Sequence, residues 1–142
     1  MSSSRQGLNK VKSKDVNWAA IWRGYALSLA GTLVLGIPLF LVTHNVWLIA
    51  VAGTLSLFGG GFATARKAQT SEPLNGAFVG VIYFATVTAV ILLGAITDKL
   101  PDPLPGLPNG DSTFFMAWPL VQLLASTLGG LVSGRRRKAG EG

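Results

Sequence analysis

Charged residues are absent from three long blocks of this chain. No Asp, Glu, Lys or Arg occurs from Gly24 to Ala65, from Pro73 to Thr97 or from Ser112 to Gly134. A membrane-spanning helix needs about 20 predominantly apolar residues, whereas a buried helix in a soluble protein rarely has an apolar run beyond about 14. The first block is long enough for two such helices, and each of the other blocks for one. The pattern therefore predicts an all-α fold, an integral membrane four-helix bundle.

The residues that interrupt these blocks predict the helix ends. His44 and Asn45 indicate a tight turn inside the first block, and Pro73 suits the first turn of a helix. We interpret 1–16 as a disordered basic N-terminal tail and 135–142 as a basic C-terminal tail. The domain of four transmembrane helices then covers 17–134, with helices at about 17–42, 46–65, 73–97 and 112–134.

A Pro-rich segment separates the last two predicted helices. Residues 98–111 hold four prolines and two glycines. Proline has no N–H to donate and glycine is a poor helix former, so this composition excludes a helix or a central strand. We expect an extended, polyproline-like loop.

The distribution of positive charge predicts the orientation of the helices. The chain carries 12 Lys and Arg residues and a net charge of +6. With four spans, all of them except Lys99 fall on one side, and cytoplasmic loops are the side that collects Lys and Arg. We therefore predict two tandem helical hairpins with both termini in the cytoplasm (N-in/C-in). The Pro-rich loop would face outward from a bacterial cell (cytoplasmic) membrane.

Composition narrows the class of protein further. Hydrophobic residues make up 49% of the chain and charged residues 13%, about half of the roughly 25% charge of average soluble domains. No cysteine is present, which excludes disulfides and thiolate catalysis. Basic residues flank the apolar blocks and do not interleave with aromatic residues on a polar element, so we expect no nucleic-acid partner.

Reactive side chains are missing from the predicted spans. Ionisable residues inside a membrane usually mark transport or catalysis, and the three blocks contain no acidic or basic residue. His44 is the one histidine, whereas a metal site needs three or four converging ligands. We interpret it as a turn residue and predict no enzyme activity, no metal and no cofactor.

Small residues recur every four positions along each predicted helix. Such stripes allow two helix backbones to approach closely in lipid. They would lie either inside the bundle or on an outward face that forms a homodimer. Gly60–Gly61 and Gly129–Gly130 each precede a basic cluster, which indicates a repeated hairpin or convergence at helix ends. The candidate packing glycines are Gly24, Gly60, Gly61, Gly76, Gly80, Gly130 and Gly134.

Gln122 is the most polar side chain deep in a predicted span. An amide in hydrocarbon needs a partner, and a hydrogen bond across helices contributes about 0.6 to 2 kcal/mol. Thr54, Ser56, Thr86 and Thr88 could supply that partner. The interpretation as a packing residue competes with a pore-lining role for Gln122.

Two basic clusters end neighbouring predicted helices on the same side. Juxtamembrane Lys and Arg attract anionic headgroups by about 1 kcal/mol each. The clusters therefore either contact anionic lipid or only set the orientation of the chain. The candidate anionic-lipid contacts are Arg66, Lys67, Arg135, Arg136, Arg137 and Lys138.

The stretch "GGFATARKA", followed after a short loop by "LNGAFVGVIY", resembles the YrzE-like family of small bacterial membrane proteins. The resemblance covers Gly60 to Tyr83 and implies a four-helix integral membrane protein without an established activity. It brings no functional residues to this chain. We expect a non-catalytic scaffold, assembly factor or accessory subunit whose partners are the lipid bilayer and a membrane protein or further copies of the chain. The alternative is a small channel or transporter formed by oligomerisation.

Overall fold

The computed structural model describes residues 16–68, 71–97, 99 and 112–140, with 112–116, 137 and 138 described by their backbone only. This part of the chain forms four α-helices and no strand, which confirms the predicted all-α class and helix number. Most of the predicted N-terminal tail, all of the Pro-rich loop except Lys99, and residues 141–142 lie outside it. The helices are α1 (Trp18–Thr43), α2 (Val46–Ala68), α3 (Glu72–Ile96) and α4 (Ser112–Gly140).

Three helices in the described residues, α1 to α3, are long and apolar enough to cross a membrane. Their most apolar stretches have mean hydropathies of 2.1, 1.7 and 2.4, in chain order. Most of the residues in those stretches are not buried by the rest of the chain. Helices that are apolar on their exposed sides suit a lipid environment, so the chain has the features of a membrane protein.

Asn17 and His44 fix the two ends of α1. The Oδ1 atom of Asn17 accepts a hydrogen bond from the N–H of Ala20 at 3.0 Å, which satisfies a donor that the first helical turn leaves free. His44 adopts the left-handed conformation, with φ 51° and ψ 36°, and its N–H donates to the carbonyl of Phe40 at 2.7 Å. Asn45 then accepts from the N–H of Trp47 at 2.9 Å. The connection between α1 and α2 is therefore only two residues long.

The basic cluster after Gly134 belongs to α4. The helix continues through this cluster to Gly140, beyond the predicted end at Gly134. Arg, Lys and Ala have high helix propensity, and positive charge is favourable near a helix C-terminus. These residues therefore extend the helix where a separate tail was expected.

The four helices pack as a rhombus. Both α1 and α4 contact α2 and α3, the latter two contact each other, and α1 and α4 do not touch within the described residues. Gly24 faces Gly60 while Gly36 faces Ile49, so α1 and α2 are antiparallel. The N-terminus of α3 lies beside that of α1, through a hydrogen bond between Asn17 and Asn75. We call the end with the C-termini of α2 and α4 the basic end, and the end with His44 the far end.

Buried side chains concentrate in the half of the bundle near the basic end. Ile21, Leu57, Val79 and Tyr83 form its apolar core. Toward the far end, α1 and α3 expose most of their apolar side chains; Val42, for example, is 82% exposed. The candidate sites described next lie in the buried half and at the basic end.

Candidate functional site

Two adjacent glycines let α2 approach two different helices. A Cβ atom on Gly60 would collide with the Ser28 hydroxyl and lie 2.5 Å from the Gly24 carbonyl oxygen, both on α1. A Cβ atom on Gly61 would collide with the Ser126 carbonyl of α4. Successive helical residues point about 100° apart. The pair therefore opens two faces of α2 to backbone contact, one for each neighbour.

A second glycine pair does the same for α4. A Cβ atom on Gly129 would collide with the Phe58 carbonyl of α2, and one on Gly130 would lie 2.5 Å from the Glu72 carbonyl of α3. In lipid, such close backbone approach provides the van der Waals contact that holds helices together. The two pairs thus join α1, α2, α4 and α3 in a chain of backbone contacts.

The other predicted packing glycines also lie between helices of this one chain. A Cβ atom on Gly24 or on Gly76 would come within 2.7 Å of a backbone carbonyl on the neighbouring helix, whereas Gly80 and Gly134 face side chains at 3.2 and 3.3 Å. Gly59 differs, because its Cβ would meet nothing within 4 Å. Gly59 therefore lies on an open face of α2 and provides a control position for substitutions of the packed glycines.

A buried asparagine links the starts of α1 and α3. The Oδ1 atom of Asn75 accepts from the N–H of Asn17 at 3.0 Å, and its Nδ2 donates to the Ser71 carbonyl at 3.2 Å. Asn75 is fully buried. Asn75 was not predicted from the sequence, although an amide in a charge-free block is the same signal that singled out Gln122.

Polar side chains from three helices meet beside Gly53 of α2. The Tyr83 hydroxyl of α3 donates to the Thr32 hydroxyl of α1 at 2.9 Å. A Cβ atom on Gly53 would lie 2.9 Å from that tyrosine oxygen and 3.5 Å from the Nε2 atom of Gln122 on α4. Gln122 is only 7% exposed. We call Thr32, Tyr83 and Gln122 the polar cluster.

Three of the four hydroxyls proposed as partners of Gln122 are bonded to other groups or have no partner. Thr54 and Thr86 donate to the Ala50 and Ile82 carbonyls of their own helices, both at 2.9 Å. The buried Ser56 hydroxyl has no hydrogen-bond partner among the described residues. A threonine hydroxyl in a helix can donate to the carbonyl four residues earlier. It is then not available as a donor to a neighbouring helix. Tyr83, which was not predicted as a partner, and Gln122 both lie beside Gly53.

A cavity of about 440 Å³ opens at the basic end. Of the predicted anionic-lipid contacts, Arg66 and Arg136 line it, whereas Lys67 and Arg135 are exposed outside it. The side chains of Arg137 and Lys138 lie outside the described part of the chain. The cavity is lined by Phe62, Ala65 and Arg66 of α2, Glu72 of α3, and Ser133, Gly134 and Arg136 of α4.

Comparison with known proteins places the chain in a family. A family model described as "Protein of unknown function (DUF3792)" matches residues 16–102, more than half of the chain. The chain belongs to the DUF3792 family. No curated protein and no solved structure matches it. Membership in DUF3792 assigns no activity to any residue.

The DUF3792 match covers some of the candidate sites fully and others only in part. It covers α1 to α3, and therefore the Asn17–Asn75 link, the Gly24–Gly60 contact and the Tyr83–Thr32 hydrogen bond. Outside the match lies α4, which contributes Gln122 to the polar cluster and Arg136 to the cavity. Within the described residues, no group of three or more His, Asp or Glu is placed to hold a metal ion.

Proposed function

We propose that this DUF3792 protein is a small non-catalytic integral membrane protein that acts as a scaffold, an assembly factor or an accessory subunit of a membrane complex. The hydrogen bonds made by the interior hydroxyl groups support this proposal. Ser28 and Thr64 donate to carbonyls of their own helices at 2.9 and 2.8 Å. Ser126 donates across to the Gly76 carbonyl at 2.6 Å. All three hydroxyls are thus bonded within the bundle, and Ser126 joins α4 to α3. No enzyme activity, cofactor or nucleic-acid partner is part of the proposal.

We propose that all four helices span a bacterial cytoplasmic membrane as two tandem hairpins with both termini inside. Support comes from the gathering of Arg66, Lys67, Arg135 and Arg136 at one end, with Lys99 following α3 at the other. The resemblance to the YrzE-like family implies the same number of membrane helices. Reporter fusions after residue 142 and within 101–109 test it. An outward C-terminus would contradict the orientation.

The alternative is a small channel or transporter formed by oligomerisation. The polar cluster and the unpartnered Ser56 hydroxyl favour it, because polar groups from several helices would have to line a path. The cluster lies at the level of Gly53, and the hydroxyls of Ser28, Thr64 and Ser126 nearer the basic end are bonded to backbone carbonyls. This arrangement favours a scaffold over a channel or transporter.

Reconstitution separates the two functions. For a scaffold or subunit, in-membrane cross-linking gives a discrete adduct with one membrane protein, and the two purified components reassemble at a fixed ratio. Liposomes containing the chain alone then remain impermeable to small ions and solutes. A solute flux that rises with protein density, without any adduct, would support the channel and contradict the scaffold.

A further inference from the structure

We propose that the cavity at the basic end binds the phosphate headgroup of one anionic phospholipid. Arg66 and Arg136 reach this cavity from two different helices, and Ser133, three residues before Arg136 on α4, also lines it. A guanidinium group presents several N–H donors in a planar fork, which matches the oxygens of a phosphate. The lining therefore offers two such groups and a neutral donor to one anion.

The other wall of the cavity identifies a lipid as the source of that phosphate. Phe62 and Ala65 line it beside Arg66, which lies in the last turn of a membrane-capable helix. The cavity thus combines apolar and cationic walls at the end of an apolar helix, where headgroups lie. Its volume of about 440 Å³ falls within the roughly 300–1,000 Å³ of ligand sites. A free phosphate ion would leave the apolar wall without a function.

Glu72 lowers the net positive charge of the cavity lining. Its carboxylate lies beside Gly134, where a Cβ atom would be 3.3 Å from Oε2, and the residue lines the same cavity. One negative charge among two positive ones leaves the lining with a net positive charge. Removing the carboxylate charge should therefore strengthen the attraction for an anionic headgroup.

Two neighbouring cations provide matched controls. Lys67 follows Arg66 and Arg135 precedes Arg136, and both are exposed at the same end of the bundle without lining the cavity. Diffuse attraction to an anionic surface would depend on all four residues alike. A defined headgroup site depends on Arg66 and Arg136 alone.

Native mass spectrometry of the full chain tests the site. The protein in mild detergent is offered equal amounts of phosphatidylglycerol and phosphatidylcholine, and the ratio of the retained lipids is measured. We expect the wild type to retain one phosphatidylglycerol. Arg66→Gln and Arg136→Gln should each lower the ratio about fivefold, the effect expected for one cation beside an anionic headgroup. Lys67→Gln and Arg135→Gln should change it less than twofold.

Two further measurements complete the test. Glu72→Gln should raise the ratio, which provides a gain of binding even if an arginine variant folds poorly. An excess of inorganic phosphate should leave the retained lipid in place. Equal losses in all four cation variants, or no loss in any, would overturn the site. Displacement by inorganic phosphate would overturn its assignment to a lipid.

Discussion

The two halves of the bundle differ in how closely their helices approach. Near the basic end, the carbonyl oxygens of Gly24, Ser126 and Glu72 lie where a Cβ atom of the opposing glycine would be. Toward the far end, Val34 of α1 is 70% exposed and Ile96 of α3 is 78% exposed. Both halves are apolar, so hydrophobicity does not account for the difference.

Small residues explain the difference between the halves. Lipid tails are as apolar as leucine, so burying an apolar side chain against another helix gains little in a membrane. Backbone proximity does stabilise, and only the basic half has glycine pairs at its helix crossings. We infer that most of the folding free energy resides in the basic half. At the far end, the short turn and the edge-to-face contact of Trp47 with Trp118, at 5.3 Å between ring centroids, keep the helices together.

Gly61→Leu should break the packing of the basic half and have the largest effect. The Ser126 backbone of α4 occupies the space that the side chain needs, and a backbone cannot rotate away. We expect a loss of about 3 kcal/mol of unfolding free energy from overpacking, measured by titrating the protein in mixed micelles with a denaturing detergent.

Gly59→Leu is the control for that substitution. It adds the same side chain two positions earlier, where nothing lies within 4 Å, and should change the free energy by less than about 0.5 kcal/mol. Equal losses in the two variants would contradict the packing described for Gly61. An unchanged monomer stability in Gly61→Leu, with loss of a dimer, would assign Gly61 to a subunit interface.

Gly24→Ala should have a smaller effect in the same half. The added methyl group would meet the Thr64 hydroxyl and lie 2.7 Å from the Gly60 carbonyl oxygen, and we expect a loss of about 1 to 2 kcal/mol. Adding Thr64→Ala removes the hydroxyl but leaves the carbonyl in place. The double variant should therefore recover part of the loss, which a double-mutant cycle measures as coupling between the two sites. Strict additivity would contradict this contact.

Gln122→Leu should stabilise the bundle slightly. No hydrogen bond joins the Gln122 amide to a described residue, and the side chain is only 7% exposed. Replacing it by an apolar group of similar size should therefore gain about 1 kcal/mol. Tyr83→Phe is the contrasting variant, because it removes the 2.9 Å bond to Thr32 and should cost about 0.6 kcal/mol. The detergent titration measures both. A loss of stability in Gln122→Leu would indicate that the amide has a polar partner such as a buried water.

His44→Gly should have the smallest effect and concerns the far end. A side chain in the left-handed conformation is strained relative to glycine, whereas glycine loses more backbone entropy on folding. We expect a net gain of about 0.5 kcal/mol in the detergent titration. His44→Val is the opposite test, since a β-branched residue tolerates a positive φ poorly. Equal stability of the two variants would show that the turn is not strained.

Much of this fold could be predicted from the pattern of charge-free blocks. The helix count and the turn at His44 follow from it, because a membrane helix needs a minimum length and charged residues do not interrupt it. The length of α4 could not be predicted from that pattern. The basic residues that mark the end of an apolar block are also good helix formers, so hydropathy ends at Gly134 while the helix continues.

The partners of individual residues could not be predicted in this way. Gly60–Gly61 and Gly129–Gly130 look alike in sequence, yet their roles are exchanged. The first glycine of the α2 pair faces α1, its neighbour in the chain, whereas in α4 it is the second glycine that faces α3. A stripe of small residues shows that a helix face lacks bulky side chains, but not which helix packs against it. Tyr83 was missed for a related reason, since an aromatic residue in a span resembles any other apolar one.

The short connection between α1 and α2 has a consequence for how the protein enters a bilayer. Only His44 and Asn45 separate the two helices, and the three peptide units that bridge them reach at most about 11 Å. That distance is far less than the roughly 30 Å thickness of the hydrocarbon core. The start of α2 therefore stays beside the end of α1 throughout insertion. In the proposed topology the two helices therefore insert together as one hairpin, within which the Gly24–Gly60 contact can form.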